Sequence, residues 1–349
     1  MNRMILEAAA VFIMGNVFYF LGYLTPALIM IPILVFLLTH TEHYMFNPQG
    51  RAVFITGCDS GFGYNLAKQL DKMGFVVFAG CQFPNREGAC NLVRECSSSL
   101  KVIELDVTQE ENVKQAKKYI ETNLPEKGLW GVVNNAGISD WSETEWNTMA
   151  DYHKMADVNL FGSIRTTLPF IPLIRATEGR IVFVSSIFAF LHAPNMGPYS
   201  VTKRAIEAFA DCLRIEMASF GVKVSIIQPG NFGSVTNILK EKTADEIWNK
   251  FDEAQRQTFN RQYIELVSEY INTQLKDGVK DINLVIDVMV DALVSPRPKT
   301  RYLVTTLFDK VFFCSFPYLP TYLADTVFTL SDMYRKRKQL LYNSINTCN

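Results

Sequence analysis

Short apolar runs alternate with longer segments of helical periodicity from residue 51 onward. The runs cover residues 52–55, 75–80, 102–107, 130–133, 180–184, 223–227 and 301–304. Most of these runs are dominated by apolar residues, although Glu104 and Asp106 interrupt the third run and Ser225 the sixth. Apolar runs of this length are typical of strands that are buried on both faces of a parallel sheet. Their alternation with helical segments predicts an α/β fold, a doubly wound parallel sheet with helices on both faces.

The N-terminal stretch follows a different pattern, because residues 4–38 are almost continuously apolar. About 20 apolar residues span a bilayer as a helix, so this stretch exceeds one span. We expect either one kinked, tilted helix or a hairpin that breaks near Pro26. A signal peptide fits poorly, since the apolar region is too long and no small-residue cleavage site follows it. We predict a membrane anchor over residues 1–39 and a polar linker over residues 40–50.

Apolar and aromatic residues return after the last predicted strand. Residues 307–330 are rich in Phe, Tyr and Leu, but Pro317 and Pro320 argue against one continuous membrane-spanning helix. The basic cluster 335–338 follows. An apolar segment beside basic residues is typical of a helix on an anionic membrane surface, although a solvated helix end has the same composition. We favour a membrane-docked tail over residues 306–349.

Composition narrows the class of protein. A net charge of −1 over 349 residues gives no general attraction to nucleic acid. The seven cysteines are scattered and include no C-x-x-C pair, which argues against a zinc site and favours a reduced compartment for the folded part.

A glycine-rich turn follows the first predicted strand and precedes a helical segment at residues 64–73. It contains Gly57, Gly61 and Gly63. In this arrangement glycines let the backbone approach a pyrophosphate, and the helix N-terminus supplies amide donors. An ordinary strand-to-helix turn has a similar composition, but the strand–turn–helix order favours a dinucleotide site.

The residues around this turn favour NAD over NADP. The second strand ends in Cys81 and Gln82, without an acid for the ribose 2′-hydroxyl. The glycine turn carries no Lys or Arg that would bind a 2′-phosphate, and Asp59 there would repel one. Asp106, after the third strand, has two interpretations: it accepts a hydrogen bond from the adenine amino group, or it caps the next helix.

Tyr199 and Lys203 lie four residues apart and therefore share one face of a predicted helix. A nearby ammonium favours the phenolate and lowers the pKa of a phenol, which suits it to proton transfer with an alcohol or carbonyl. This pair alone occurs by chance in many proteins. Its weight comes from Ser186, thirteen positions upstream, and from Asn159 within a helical stretch.

In order and spacing, these features resemble the short-chain dehydrogenase/reductase family. The matching positions are Thr56, Gly57, Gly61, Phe62, Gly63, Asn134, Asn135, Ala136, Gly137, Asn159, Ser186, Tyr199, Lys203, Pro229 and Gly230. The resemblance covers residues 50–240 and extends weakly to about residue 330. Within the family, the sequence is most similar to the branch of D-β-hydroxybutyrate dehydrogenase, 17β-hydroxysteroid dehydrogenases and membrane-bound retinol dehydrogenases. The resemblance implies a Rossmann-like fold, a catalytic domain over residues 51–305, oxidoreductase activity on CH–OH groups and a possible homo-oligomer.

The resemblance also implies roles for individual residues. Tyr199 is the general acid/base, Ser186 binds the substrate oxygen, and Lys203 lowers the pKa of Tyr199 and binds the nicotinamide ribose. Asn159 holds a water molecule of a proton relay. The residues implied in cofactor binding are Gly57, Ser60, Gly61, Phe62, Gly63, Asp106, Val107, Asn135, Ala136, Gly137, Tyr199, Lys203, Pro229, Gly230 and Thr236.

The substrate side is predicted to be apolar. Phe188 and Phe190 lie in the loop between Ser186 and Tyr199, which holds no Lys or Arg, only His192. Together with Phe232, at the start of the variable region 231–282, these are the candidate substrate contacts. An apolar pocket and an anchor favour a hydroxysteroid or retinol. The alternatives are (R)-3-hydroxybutyrate, a ketone reduced with NADPH, and a non-catalytic membrane scaffold. We expect the endoplasmic reticulum membrane, with a mitochondrial membrane as the alternative.

Overall fold

The structure, a computed structural model, describes residues 17, 19–22 and 46–347. The chain divides after Asn47, and the second unit carries the fold. Apart from a helical stretch at residues 17 and 19–22, the predicted anchor lies outside the described residues. No helix within the described part of the chain is long and apolar enough to cross a membrane.

Seven parallel strands form one sheet in the order β3-β2-β1-β4-β5-β6-β7. The strands are β1 (Ala52–Thr56), β2 (Val76–Cys81), β3 (Leu100–Glu104), β4 (Leu129–Asn134), β5 (Arg180–Val184), β6 (Lys223–Pro229) and β7 (Arg301–Val304). Every residue of β1 and β4 is buried, as the uninterrupted apolar runs predict. The strand order reverses between β1 and β4, so the connections leave in opposite directions there and open a crevice at the carboxyl edge.

Helices connect the strands and cover both faces of the sheet, which is the Rossmann-like architecture that the sequence predicts. They are α1 (Gly61–Met73), α2 (Glu87–Glu95), α3 (Glu110–Thr122), α4 (Met149–Ala156), α5 (Ser163–Thr167), α6 (Ile171–Ala176), α7 (Gly197–Ala218) and, before β7, α11 (Asn283–Val294). A π-helix, Asp157–Gly162, joins α4 to α5. The rings of Phe54, Phe78, Phe170 and Phe183 fill the core.

The variable region folds as three helices: α8 (Ala244–Trp248), α9 (Glu253–Thr258) and α10 (Arg261–Lys276). The sequence at residues 245–259 has an amphipathic pattern with the apolar residues Ile247, Trp248, Phe251 and Phe259, which predicts one helix there, but the structure divides it into two. Asp252 causes the break, because its side chain accepts from the backbone N–H of Gln255 at 2.8 Å and begins a new helix. The apolar faces of these helices form a second cluster around Tyr263.

The tail folds as three helices that pack on the catalytic unit: α12 (Leu307–Ser315), α13 (Thr321–Thr329) and α14 (Asp332–Thr347). Pro317 and Pro320 lie where α12 ends and α13 begins, so the tail is not one continuous helix. Phe316, between these helices, is buried with Ile187 and Leu191 of the loop after β5. The tail thus contributes to the core as well as to the surface.

Arg337 on α14 is held in a part-buried cluster, not on a uniformly basic surface. Its Nε donates to the Tyr263 hydroxyl at 2.8 Å, and its Nη2 donates to Glu143 at 2.9 Å. The Tyr263 hydroxyl in turn donates to Glu143. Burial and the adjacent carboxylate raise the pKa of Tyr263, so the phenol stays protonated and serves as the donor. This triad fastens the tail to α10 and to the loop after β4.

We predict that Arg337→Met lowers the free energy of unfolding by about 2 kcal/mol, because it leaves the buried Glu143 carboxylate without its cation. Urea denaturation of the full chain measures the effect. Arg335→Met is the matched control: Arg335 pairs with exposed Asp332, and its loss should cost at most about 0.5 kcal/mol. Equal losses in the two variants would contradict a fastening role for the triad.

Candidate active site

A cavity of about 1120 Å³ opens at the carboxyl edge of the sheet, at the strand-order reversal. Most of the residues that the sequence singles out line it: Gly57, Ser60, Gly61, Phe62, Asp106, Val107, Asn135, Ala136, Gly137, Ser186, Phe188, Tyr199, Lys203, Pro229, Gly230, Phe232 and Thr236. Four others, Gly63, Asn159, Phe190 and His192, lie outside its lining. One cavity therefore brings together most of the predicted cofactor-binding residues and the predicted catalytic residues Ser186, Tyr199 and Lys203.

The glycine turn forms one wall of the cavity and is held closely against the end of β4. Gly57 has a φ of 71°, which favours glycine. A Cβ on Gly63 would lie 2.4 Å from the carbonyl oxygen of Gly57, so a side chain there would push the turn apart. The Asn135 side chain donates to the carbonyl oxygens of Thr56 and Gly57, both at 2.9 Å. This compact turn before the N-terminus of α1 fits a pyrophosphate group.

Asp59 and Asp106 line the end of the cavity next to β2 and β3. The Asp59 carboxylate accepts from the backbone N–H groups of Gln82 and Phe83, both at 2.9 Å. Asp106 accepts from the backbone N–H of Thr108 at 2.9 Å and from its hydroxyl at 2.7 Å. Burial works to raise the pKa of Asp106, but these hydrogen bonds outweigh it and hold that pKa below its ordinary value. Asp106 thus fixes the turn after β3. It does not cap α3, whose N-cap residue is Gln109, and its contact with adenine stays a prediction.

Ser186 and Tyr199 face each other across the inner end of the cavity. Ser186 is the second residue after β5, and Tyr199 lies in the first turn of α7 with 7% of its surface exposed. Burial raises the pKa of Tyr199 to about 12, and a hydrogen bond from Ser186 opposes that rise only in part. The phenol of Tyr199 is therefore protonated at neutral pH.

Lys203 lies one helical turn from Tyr199 and is 3% exposed. Its ammonium donates to the carbonyl oxygen of Val184 at 2.8 Å and lies 5.5 Å from the centre of the Tyr199 ring. Burial lowers the pKa of Lys203 to about 8, which the Glu207 carboxylate opposes. Desolvation of the phenol outweighs any lowering of the Tyr199 pKa by Lys203.

Asn159 lies in the π-helix, behind the cavity wall. Its side-chain oxygen accepts from the backbone N–H of Ile138 at 2.8 Å, and its amide donates to the Ile138 carbonyl at 2.9 Å and to the Thr202 hydroxyl at 3.1 Å. The side chain therefore links the loop after β4 to the helix that carries Tyr199 and Lys203. Its predicted contact with a water molecule is a separate role, which stays a prediction.

The candidate substrate contacts separate into two groups. Phe188 and Phe232 line the cavity, and the ring of Phe188 lies edge-on to Tyr199 at 6.2 Å. Phe190 packs into the apolar cluster around Phe316 instead. His192 also turns toward the tail: its Nε2 lies 3.5 Å from Asp325, and its ring contacts Phe316. These two side chains join the loop after β5 to α13.

Sequence reasoning missed the part of the cavity wall that the tail supplies. These residues are Phe313, Phe328, Ser331, Met333, Tyr334 and Arg337. It also missed Arg86, whose guanidinium lies 3.7 Å from the centre of the Phe83 ring at the end of the cavity near Asp59. The available signal was the aromatic content of the tail, which was interpreted as a membrane contact that opens the pocket toward lipid.

Comparison with known proteins gives a consistent family. The family model described as short chain dehydrogenase matches residues 51–247. D-beta-hydroxybutyrate dehydrogenase, mitochondrial, from Mus musculus is 42% identical over 261 residues, covering 72% of this chain and 76% of the relative. The 17-beta-hydroxysteroid dehydrogenase type 6 from Homo sapiens is 41% identical over 287 residues, covering 81% of this chain and 89% of the relative.

A solved structure agrees on the fold. A short-chain dehydrogenase from Streptomyces avermitilis superposes with a TM-score of 0.64 at 22% identity, over 80% of this chain and 96% of that one. The fold, the cavity and the sequence relatives lead to one conclusion. The chain belongs to the short-chain dehydrogenase/reductase family and is an oxidoreductase that acts on CH–OH groups.

Proposed function

We propose that this oxidoreductase transfers a hydride between NAD(H) and a lipophilic alcohol or carbonyl of hydroxysteroid or retinol type. The observation that carries the proposal is one cavity that holds Ser186, Tyr199 and Lys203 beside a glycine turn and has a largely aromatic and aliphatic outer wall. The nicotinamide ring supplies or accepts the hydride when bound. The protein orients the substrate and moves its proton.

Tyr199 is the proton donor and acceptor in this scheme. In the reductive direction the protonated phenol, with its raised pKa, donates to the carbonyl oxygen as that oxygen gains negative charge. In the oxidative direction Tyr199 must give up its own proton first, which the Lys203 ammonium makes more favourable. Ser186 donates a hydrogen bond to the same substrate oxygen, and Asn159 positions the loop that faces Lys203.

The cofactor in this proposal is NAD, because a carboxylate occupies the end of the cavity where the adenosine ribose would lie. Asp59 is fixed there by two backbone N–H groups, so it cannot turn away from a 2′-phosphate without losing both bonds. Arg86 is the competing feature, since its guanidinium is the kind of group that binds a phosphate. Because Asp59 lies inside the glycine turn, we expect its carboxylate, and not Arg86, to decide between NAD and NADP.

The substrate class follows from the wall that faces Tyr199. Its members are Phe188, Leu191, Met196, Phe232, Ile238, Leu239, Phe313, Phe328 and Met333. Such a wall stabilises a substrate by burying apolar surface, worth about 25 cal/mol per Å². Relatedness to a hydroxybutyrate dehydrogenase keeps (R)-3-hydroxybutyrate as the second candidate.

The location in this proposal is a membrane, that of the endoplasmic reticulum ahead of a mitochondrial one. Val311 on α12 (71%), Tyr318 in the turn between α12 and α13 (87%) and Tyr322 on α13 (69%) are exposed, and basic residues of α14 follow. Apolar side chains beside cations suit the boundary between lipid headgroups and acyl chains. The same tail lines the cavity, so a substrate dissolved in lipid would enter beside it. A homo-oligomer through the sheet-flanking helices is compatible with this placement.

We predict that Tyr199→Phe lowers the turnover rate about a thousandfold, because the ring is kept and the proton donor is lost. Binding of NADH, followed by its fluorescence, should change by at most about twofold, since the phenyl ring preserves the shape of the wall. Tyr119→Phe, which removes an exposed phenol on α3 outside the cavity lining, is the control and should keep its turnover. Near-normal activity of Tyr199→Phe would overturn the assignment.

The substrate proposal is tested by an oxidation screen with protein reconstituted into vesicles. The screen compares a 17β-hydroxysteroid, retinol and (R)-3-hydroxybutyrate, each with NAD and with NADP. We expect the highest kcat/KM for a steroid or retinol with NAD. The highest value for (R)-3-hydroxybutyrate would favour the second candidate instead.

We predict that NADH binds at least about tenfold more tightly than NADPH, because the Asp59 carboxylate repels a 2′-phosphate. Asp59→Asn removes the charge and keeps an oxygen acceptor, so it should narrow the difference mainly by strengthening NADPH binding. Asp71→Asn is the matched control, since Asp71 also accepts from a backbone N–H, that of Ser97, but lies outside the cavity lining. Tighter binding of NADPH by the unmodified protein would assign Arg86 as a phosphate ligand.

A further inference from the structure

Glu207 is a buried carboxylate that the scheme above does not use. It lies on α7, one helical turn beyond Lys203, and is 7% exposed. Its Oε1 accepts from the Ser185 hydroxyl at 2.7 Å and from the Gln228 amide at 2.9 Å. Burying a carboxylate is costly unless hydrogen bonds and a countercharge stabilise it, so its presence here requires a physical reason.

Both hydrogen-bond donors to Glu207 are sequence neighbours of cavity residues. Ser185 precedes Ser186 at the end of β5, and Gln228 precedes Pro229 at the end of β6. The single oxygen Oε1 therefore ties α7 to the carboxyl ends of two adjacent strands. A shift of α7 along its axis would move Tyr199 relative to Ser186 and would break both of these bonds.

The charged groups around Glu207 form a row. Lys203 lies on one side, toward Tyr199, and Arg301 of β7 lies on the other, with its Nε 3.5 Å from Oε2. Arg301 is bound mainly to Asp211, one turn farther along α7, through contacts of 3.2 and 2.5 Å. It therefore neutralises Glu207 only in part, and a share of the negative charge remains to act on Lys203.

The remaining surroundings of Lys203 are neutral. The end of β5 contributes the Val184 carbonyl and Ser185, the loop after β4 contributes Gly137, with Asn159 behind it, and α7 itself contributes the phenol of Tyr199. Within the described part of the chain, Glu207 is the charged group whose field opposes the loss of the Lys203 proton on burial. Without it, Lys203 would be neutral over more of the physiological pH range.

We propose that Glu207 is a positioning residue for the reaction: its carboxylate keeps Lys203 cationic and fixes α7 against the strand ends that carry Ser186 and Pro229. The inference rests on the proposed function, because a cationic Lys203 is needed only if Lys203 serves Tyr199 and the cofactor. It deepens that function by assigning a further residue to it. Glu207 contacts neither of the reacting groups and acts through Lys203.

The experiment measures how NADH binding by the full chain depends on pH, using fluorescence, and compares it with turnover of the best alcohol from the oxidation screen. Affinity should decline above about pH 8 in the unmodified protein, as Lys203 loses its proton. Lys203→Met should lack this decline, which identifies its origin. Glu207→Gln keeps the size and an oxygen acceptor but removes the charge, and should move the decline about one pH unit lower.

Arg301→Met provides the opposite test. It removes the cation that offsets Glu207, so the decline should move to higher pH. Asp211→Asn is the matched control: it removes one acid from the same row at a greater distance from Lys203, and should move the decline far less than Glu207→Gln. Opposite shifts in Glu207→Gln and Arg301→Met support the proposal, since a merely structural role moves neither midpoint.

The outcomes separate the two proposals. Superimposable profiles of Glu207→Gln and the unmodified protein, or shifts of Glu207→Gln and Arg301→Met in one direction, would overturn the role of Glu207 while Lys203→Met still loses turnover. Failure of the unmodified protein to oxidise any alcohol in the screen would overturn the proposed function without affecting the binding profiles. If Glu207→Gln does not fold, an unshifted Arg301→Met profile overturns the inference.

Discussion

The burial of the Lys203 ammonium is the constraint on which the rest of the site depends. An ammonium in a nearly dry interior loses its hydration, and the protein must replace it with hydrogen bonds and negative charge. The Val184 carbonyl supplies the hydrogen bond, and Glu207 supplies the negative charge. Because Val184 ends β5 and Lys203 and Glu207 lie on α7, burying the ammonium fixes this helix against the sheet. Tyr199 and Ser186 then face each other as a result.

Much of the fold could be predicted from the sequence, because buried parallel strands have a simple signature. Every predicted run became a strand, including the last, Arg301–Val304. The glycine turn could also be predicted, since the positive φ at Gly57 and the tight approach at Gly63 exclude most other residue types at these two positions. The break at Asp252 was missed, because the capping box that begins α9 interrupts an otherwise amphipathic pattern.

The site was predictable where chemistry limits the choice of residue, and less so where long-range packing decides. The grouping of Ser186, Tyr199 and Lys203 in one cavity followed from their spacing together with the resemblance to the family. The placement of His192 against Asp325 did not, because it depends on where the tail lies. The bond between Glu143 and Arg337 spans 194 positions, and no local pattern reports such a contact. Spacing also did not reveal that burial raises the pKa of Tyr199, because it indicates a nearby charge but not the extent of burial.

The triad of Glu143, Tyr263 and Arg337 has a consequence for how this enzyme can diverge. The residues proposed to move the proton lie just after β5 and on α7, whereas part of the outer wall of the cavity comes from helices more than a hundred residues later in the chain. Substitutions in those helices can reshape the wall while the triad keeps the helices in place. Substitutions can therefore change the choice of alcohol almost independently of the chemistry, because the two depend on different parts of the chain.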